Sequence, residues 1–362
     1  MSKQFLALSK QTVRNALDAV PTYLFYPISG KLEPEPEFKE EPRKEYRGAD
    51  TRMGYVNDLR RATSFKFTLD GSCYPGAERG ALLRLLVGYL AAAATVDASA
   101  FKHILFPISP AYGTGQPLTD EAIALVPNTD KDGITVSQNW VGARPKSYKL
   151  TLKGLEDVKL AIEMTGGPWI GAPGQAETAG ASFPVAAPFL AGDAKCYIGS
   201  GAALTGVAPN YTDIAPGTMN QFLPDDLELE FNMGYEDIAK LNGEDGPSVT
   251  QANAQVMVKA KFTVDYTDPA SGWSSYDEWA ARFTGINYLP LMVVLDNGEL
   301  AGAATQHYTD TYYMPKMKAD KIDVARNNEG KVTKATFEYT SRLDPTINKP
   351  FFFQLIDKAA TY

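Results

Sequence analysis

The sequence predicts an α+β, mostly β fold of two tandem units, each a β-sandwich or partial barrel with one packed helix. Three observations predict it. A pattern is stated twice: Leu32-Glu-Pro-Glu-Pro-Glu-Phe38, the alternating run Ser64-Phe-Lys-Phe-Thr-Leu69 and the helical stretch from Ala81, then Leu227-Glu-Leu-Glu-Phe231, Val258-Lys-Ala-Lys-Phe-Thr-Val264 and Tyr276-Asp-Glu-Trp-Ala-Ala-Arg-Phe283. The spacings agree, with Phe38 to Phe67 at 29 residues and Phe231 to Phe262 at 31, and both Phe67 to Ala81 and Phe262 to Tyr276 at 14. Finally, the runs after the polar loops alternate apolar and polar with period 2, the signature of strands with one buried face. Unit 1 is expected over residues 1–200, including an N-terminal segment 1–21 and an arm 32–61, and unit 2 over 201–362.

Along the chain, residues 1–20 read as a short helix with Val13, Leu17 and Val20 on one side, ended by Pro21. Tyr23–Ile28 is aromatic-rich and reads as a strand. Glu33–Arg61 carries Pro34, Pro36 and Pro42 among charges and reads as an extended arm or loop. Ala81–Ala94 reads as a helix, with Leu82, Leu85, Leu86 and Tyr89 on one side. Ile104–Ile108 and Ile134–Trp140 read as strands around a Pro110–Gly115 loop. The clearest hairpin is Ser147–Lys153 with Val158–Thr165, turning at Gly154–Asp157 and placing Leu150, Leu152, Leu160, Ile162 and Met164 inward. Gly166–Gly192, rich in Gly, Pro and Ala, reads as a long loop. In the second half, Leu289–Leu295 and Tyr308–Met314 read as strands. The stretches Lys321–Ala325 and Val332–Thr340 read as a hairpin across Asn327–Gly330. Phe351–Ile356 is almost wholly apolar, hence central or covered.

Composition narrows the function. At 362 residues with ordinary apolar content the chain is long enough for two domains. No apolar run reaches the length of a membrane span, and Met1–Lys10 reads poorly as a secretion signal. Net charge is −8. Residues 1–200 hold 22 Lys+Arg against 21 Asp+Glu (+1), and residues 201–362 hold 13 against 22 (−9). An acidic chain is a poor wrapper of nucleic acid, since phosphate neutralisation dominates that affinity. It suits a surface that DNA passes without being gripped.

Constellations for chemistry are missing. Cys73 and Cys196 lie far apart and read as buried, reduced thiols. His103 reads as a satisfied strand histidine, and two histidines exclude a His-rich metal site. There is no phosphate-binding GxxxxGK loop and no Gly-x-Ser-x-Gly. Glu33, Glu35, Glu37, Glu228 and Glu230 alternate along extended chain as a solvated face does, although a two-carboxylate glycosidase has the same residue types. Trp169, Trp273 and Trp279 are candidates for sugar stacking, with core packing the better account of Trp279. No enzyme activity, cofactor or metal is expected.

Charge at equivalent loops is the constellation with content. Residues 43–61 hold Arg43, Lys44, Arg47, Arg52, Arg60 and Arg61 against Glu45, Asp50 and Asp58, a net of +3. Residues 232–254 hold Lys240 against Glu236, Asp237, Glu244 and Asp245, a net of −3. Opposite signs at equivalent places would set register between packed units, and two unrelated solvated loops is the plainer alternative.

The chain resembles the tail tube proteins of long-tailed bacteriophages, of the larger kind. The likeness is carried by Arg47-Gly-Ala-Asp-Thr-Arg-Met-Gly54, Phe65-Lys-Phe-Thr-Leu-Asp-Gly71, Leu82-Leu-Arg-Leu-Leu-Val-Gly88, Lys149-Leu-Thr-Leu-Lys-Gly154 and Lys159-Leu-Ala-Ile-Glu-Met-Thr-Gly-Gly167. The resemblance implies rings stacked into a hollow conduit for DNA, with part of each unit's sheet in an inner barrel. Two units per chain imply homotrimeric rings of pseudo-six-fold appearance, with hexameric rings as the fallback. It further implies other phage tail proteins as partners and double-stranded DNA passing without specific binding. The location implied is the virion tail after synthesis in the host bacterial cytoplasm, with no membrane. On this reading the charged loops join subunits or rings. Lys149, Thr151, Glu163, Thr336 and Glu338 are lumen-facing candidates. A carbohydrate-binding or carbohydrate-active β-sandwich protein, or a tail-tip, baseplate or decoration component, is the alternative.

Overall fold

The computed structural model describes residues 3–11, 23–26, 34–42, 58–91, 93–107, 122–131, 134–137, 139–167, 169–170, 186–207, 210–238, 249–252, 255–269, 271–325, 332–360 and 362. It is mostly β, with large antiparallel sheets and, among the described residues, two α-helices. The first half holds β1 (Lys3–Gln11), β2 (Tyr23–Tyr26), β3 (Glu35–Pro42), β4 (Asp58–Ser72), α1 (Ala77–Val87), β5 (Gly88–Leu90), β6 (Ala94–Asp97), β7 (Ala100–Pro107), β8 (Ala122–Lys131), β9 (Ile134–Ser137), β10 (Asn139–Lys153), β11 (Lys159–Gly166) and β12 (Trp169–Ile170). Then come β13 (Lys195–Ile198), β14 (Ala203–Val207), β15 (Asn210–Ala215), β16 (Asn220–Phe222), β17 (Asp226–Asn232), β18 (Tyr235–Ile238), β19 (Val249–Ala252), β20 (Met257–Asp265), α2 (Ser275–Ala281), β21 (Tyr288–Leu300), β22 (His307–Ala325), β23 (Lys334–Ser341) and β24 (Phe352–Asp357).

One set of antiparallel pairings occurs twice, in the same chain order. In the first half β1 pairs with β2 and β8, β8 with β10, β10 with β11 and β12, β11 with β4, and β4 with β3. In the second, β13 pairs with β16 and β21, β21 with β22, β22 with β23 and β24, β23 with β20, and β20 with β17. The recurrence starts at Lys195, within the stretch assigned to unit 1 from sequence. Strands β10 and β22 each change partners along their length and shift register against the new partner, at Pro145/Ser147 and Ala319/Lys321. One further contact, β10 with β17, fuses the repeats into the eight-stranded order β3–β4–β11–β10–β17–β20–β23–β22. On the opposite layer β24 also pairs with β7.

Several expectations are corrected. The N-terminal helix is replaced over Lys3–Gln11 by a strand held between β2 and β8. Leu6, Ala7, Leu8, Ser9 and Gln11 are all buried, so burial on both faces overrides local propensity there. The arm 32–61 contains paired strand at both ends, Glu35–Pro42 against residues 58–66. Pro36 and Pro42 sit on β3, the sheet's edge strand, where a missing N–H is tolerated. The helix expected to Ala94 stops at Val87, because Gly88 adopts φ 84° and returns its N–H to the Arg84 carbonyl. Tyr308–Met314 and Lys321–Ala325 are one 19-residue strand; Pro315 lies near the point where that strand changes partners. The loop Gly166–Gly192 includes the short strand β12 and the start of a 3-10 turn at Ala191. The Pro110–Gly115 loop and the Asn327–Gly330 turn lie outside the described residues.

The hairpin β10/β11 and the apolar strand β24 are as expected, the latter buried at every position. α1 is buried through Arg79, Gly80, Leu82, Leu83, Leu85, Leu86 and Val87, and α2 is capped by Ser274, whose side chain accepts from the Asp277 N–H. The main hydrophobic cluster runs through both halves, from Leu69 and Ile162 to Phe231, Phe262 and Phe353.

Candidate assembly surface

Period-2 alternation gives the eight-stranded sheet two unlike faces. Phe65, Phe67, Leu150, Leu160, Leu227, Leu229, Phe262 and Phe337 point into the core. The five lumen-facing candidates all lie on the other face and are exposed or half-buried. Lys149 Nζ meets Glu228 Oε2 at 3.0 Å across the β10/β17 contact. Thr151 stands between Lys159 and Glu228. Glu163 is exposed opposite Ser147 and Thr68. Thr336 shares a hydroxyl hydrogen bond with Thr263 at 3.2 Å, and Glu338 meets Lys261 at 3.4 Å.

This face is an alternating charge lattice. Acidic β17 (Asp226, Glu228, Glu230) lies between β10 (Lys149, Lys153) and β20 (Lys259, Lys261), with Glu338 of β23 and Lys321 of β22 beyond. One transverse row reads Lys159, Thr151, Glu228, Lys261, Glu338, Lys321. Directly opposed opposite charges support the strand register, and the carboxylates have the solvated environment expected of them. Each exposed ion pair is worth under about 1 kcal/mol.

Of the charged-loop residues, Arg43, Lys44, Arg47, Arg52, Glu244 and Asp245 lie outside the described residues. Arg60 and Arg61 belong to β4 rather than to a loop, opposite Glu40 and Lys39. Glu236 is exposed in β18 opposite Gln251, and Asp237 follows opposite Thr250.

Sequence reasoning missed a buried polar cluster that ties the halves together. Arg79 of α1 forms a doubly bonded ion pair with Asp310 of β22, with Nη2 to Oδ1 at 2.6 Å, and Arg79 Nη1 lies 3.1 Å from Cys73 Sγ. Tyr312 donates to Asp310 Oδ2 at 3.1 Å and shares a 2.8 Å hydrogen bond with Tyr148 of β10. All five side chains are buried. Burial pushes the Asp310 carboxyl up to about 6 against the downward pull of Arg79.

Both cysteines are free and buried, and burial raises the Cys196 thiol to about 12. His103 is buried, with Nε2 2.6 Å from the Ala359 carbonyl. No group of metal-ligating side chains occurs among the described residues. Trp273 packs with Phe222, Phe262 and Phe337, and Trp279 with Tyr266, Tyr276 and Phe283, so neither is an open platform for a sugar. No described helix is long and apolar enough to cross a membrane. No protein-family model matches the chain, and no curated protein matches it.

Proposed function

We propose that this chain is a structural virion protein: a major tail tube protein, without catalytic activity, whose copies form rings that stack into a conduit for phage DNA. One observation carries the reading. The same seven pairings occur twice, and the repeats are joined through unlike edges, β10 of one to β17 of the next. A contact between unlike edges of like units is heterologous, and repeating it closes a ring when the rotation per unit divides a full turn. Two repeats per chain favour three chains per ring with pseudo-six-fold appearance. The virion tail, other tail proteins and double-stranded DNA as the passing cargo follow from this reading, as does a role for the oppositely charged loops between units.

Negative-stain microscopy of the purified chain, with its mass in solution, tests the proposal. Rings or tubes with the mass of three chains per ring are expected. A strict monomer at every ionic strength, with no ring or filament, would sink it.

A further inference from the structure

The chain carries an internal template for the contact between its copies. Resting on the assembly reading above, we infer that residues 320–325 of β22 pair antiparallel with residues 37–42 of β3 of a second copy, in one register that places Val324 opposite Phe38.

Three observations lead there. First, the sheet has two open ends. Among the described residues β3 pairs with β4 alone, and beyond Lys318 the strand β22 pairs with β23 alone. The corresponding edges inside the chain, β10 and β17, are paired over seven residues. Second, the repeat fixes which residues correspond. Glu-Pro-Glu-Pro-Glu-Phe38 matches Asp-Leu-Glu-Leu-Glu-Phe231 position by position, and Pro34 is buried as Leu227 is. Matching Phe67 to Phe262 sets Met164 beside Phe337, and so Glu163 beside Thr336. Their partners on the crossing strands are Ser147 and Asp323, so the next residues, Tyr148 and Val324, correspond. Tyr148 lies opposite Phe231, hence Val324 opposite Phe38.

Third, charge selects that register, although charge took no part in deriving it. Val324 opposite Phe38 brings Asp323 opposite Lys39 and Lys321 opposite Glu41. A slip of two residues one way gives Asp323 opposite Glu37 and Lys321 opposite Lys39. The other slip gives Asp323 opposite Glu41 and Lys321 opposite Arg43. Both slips oppose like charges at both positions, which destabilises a strand pair. Slips of one residue exchange the core and solvent faces. One carbonyl of the receiving segment, that of Ile322, accepts from Arg282 Nη1 at 3.0 Å, a bond that the incoming strand must share or displace.

The test is cysteine cross-linking of the full chain, in which native Cys73 and Cys196 are buried and free. Lys39→Cys with Asp323→Cys should give disulfide-linked multimers ending at a closed species, whereas Glu37→Cys with Asp323→Cys should stay uncrosslinked. Lys321→Glu should weaken association roughly three- to tenfold at low salt, and adding Glu41→Lys should restore it. Closed cross-linked rings without tubes would uphold this contact and defeat the tube reading. Tubes in which the Lys39/Asp323 cysteines never link, or link no better than the slipped pair, would overturn the contact and leave the tube reading standing.

Discussion

The β10/β17 junction and the open edges of β3 and β22 occupy equivalent places in the repeat, yet they are built differently. Inside the chain, seven paired residues are backed by the opposite layer, where β24 joins β7, and by the Arg79–Asp310 ion pair with its tyrosines. The open edges offer backbone and, on β22, the exposed charges of Lys321 and Asp323. Buried ion pairs are costly to break, whereas edge pairing with solvated charges is reversible and salt-sensitive. The junction within the chain is thus locked, and the edges proposed to meet between molecules are left soft.

The largest effect expected concerns the sheet common to both junctions. Leu160→Asp places an unpaired charge 2 % exposed beneath β10 and β4, and should cost about 4 kcal/mol or more, read as a collapse of the denaturant midpoint. If its midpoint matches wild type, the facing assigned to this sheet is wrong. Breaking the lock comes next. Arg79→Met strands Asp310 in the core and should cost about 3–5 kcal/mol near neutral pH. Asp310 has a raised folded pKa, and loss of Arg79 raises it further, so the folded state takes up a proton more readily than the unfolded chain. Stability of the variant should therefore recover as pH falls from 8 towards 5. A loss independent of pH would mean that Asp310 does not carry the penalty.

Two smaller perturbations sharpen the contrast. Tyr148→Phe removes the hydroxyl contact to Tyr312 and should cost about 1 kcal/mol without affecting assembly, measured by chemical denaturation and sedimentation. Arg60→Glu with Arg61→Glu should leave the fold nearly unchanged while weakening assembly most at low salt. Unaltered sedimentation of that double variant at low salt would remove these residues from the assembly surface.

How much of this was legible depended on the range of the interaction. The Ser147–Thr165 hairpin was readable because alternation is local and Leu150, Leu160 and Ile162 report one face. The alternating run of β20 was readable for the same reason. β3 was hidden by its prolines, which mark an arm as readily as an edge strand. The continuity of β22 was hidden by Pro315, tolerated where the strand changes partners. The lock was invisible, since Arg79 and Asp310 stand 231 residues apart and only the tertiary fold brings them together. Arg60 and Arg61 were misplaced because charge marks solvent exposure without telling a loop from a strand.

The alternating Lys and acid rows have an electrostatic consequence. Neighbouring strands lie about 4.8 Å apart, so sign repeats across the sheet with a period of about 10 Å. The potential above such a lattice falls e-fold roughly every 1.5 Å, far faster than the ~8 Å screening by physiological salt. A water layer away, attraction and repulsion have cancelled by geometry. A charged polymer sliding past this wall would meet little force in either direction, whatever the salt.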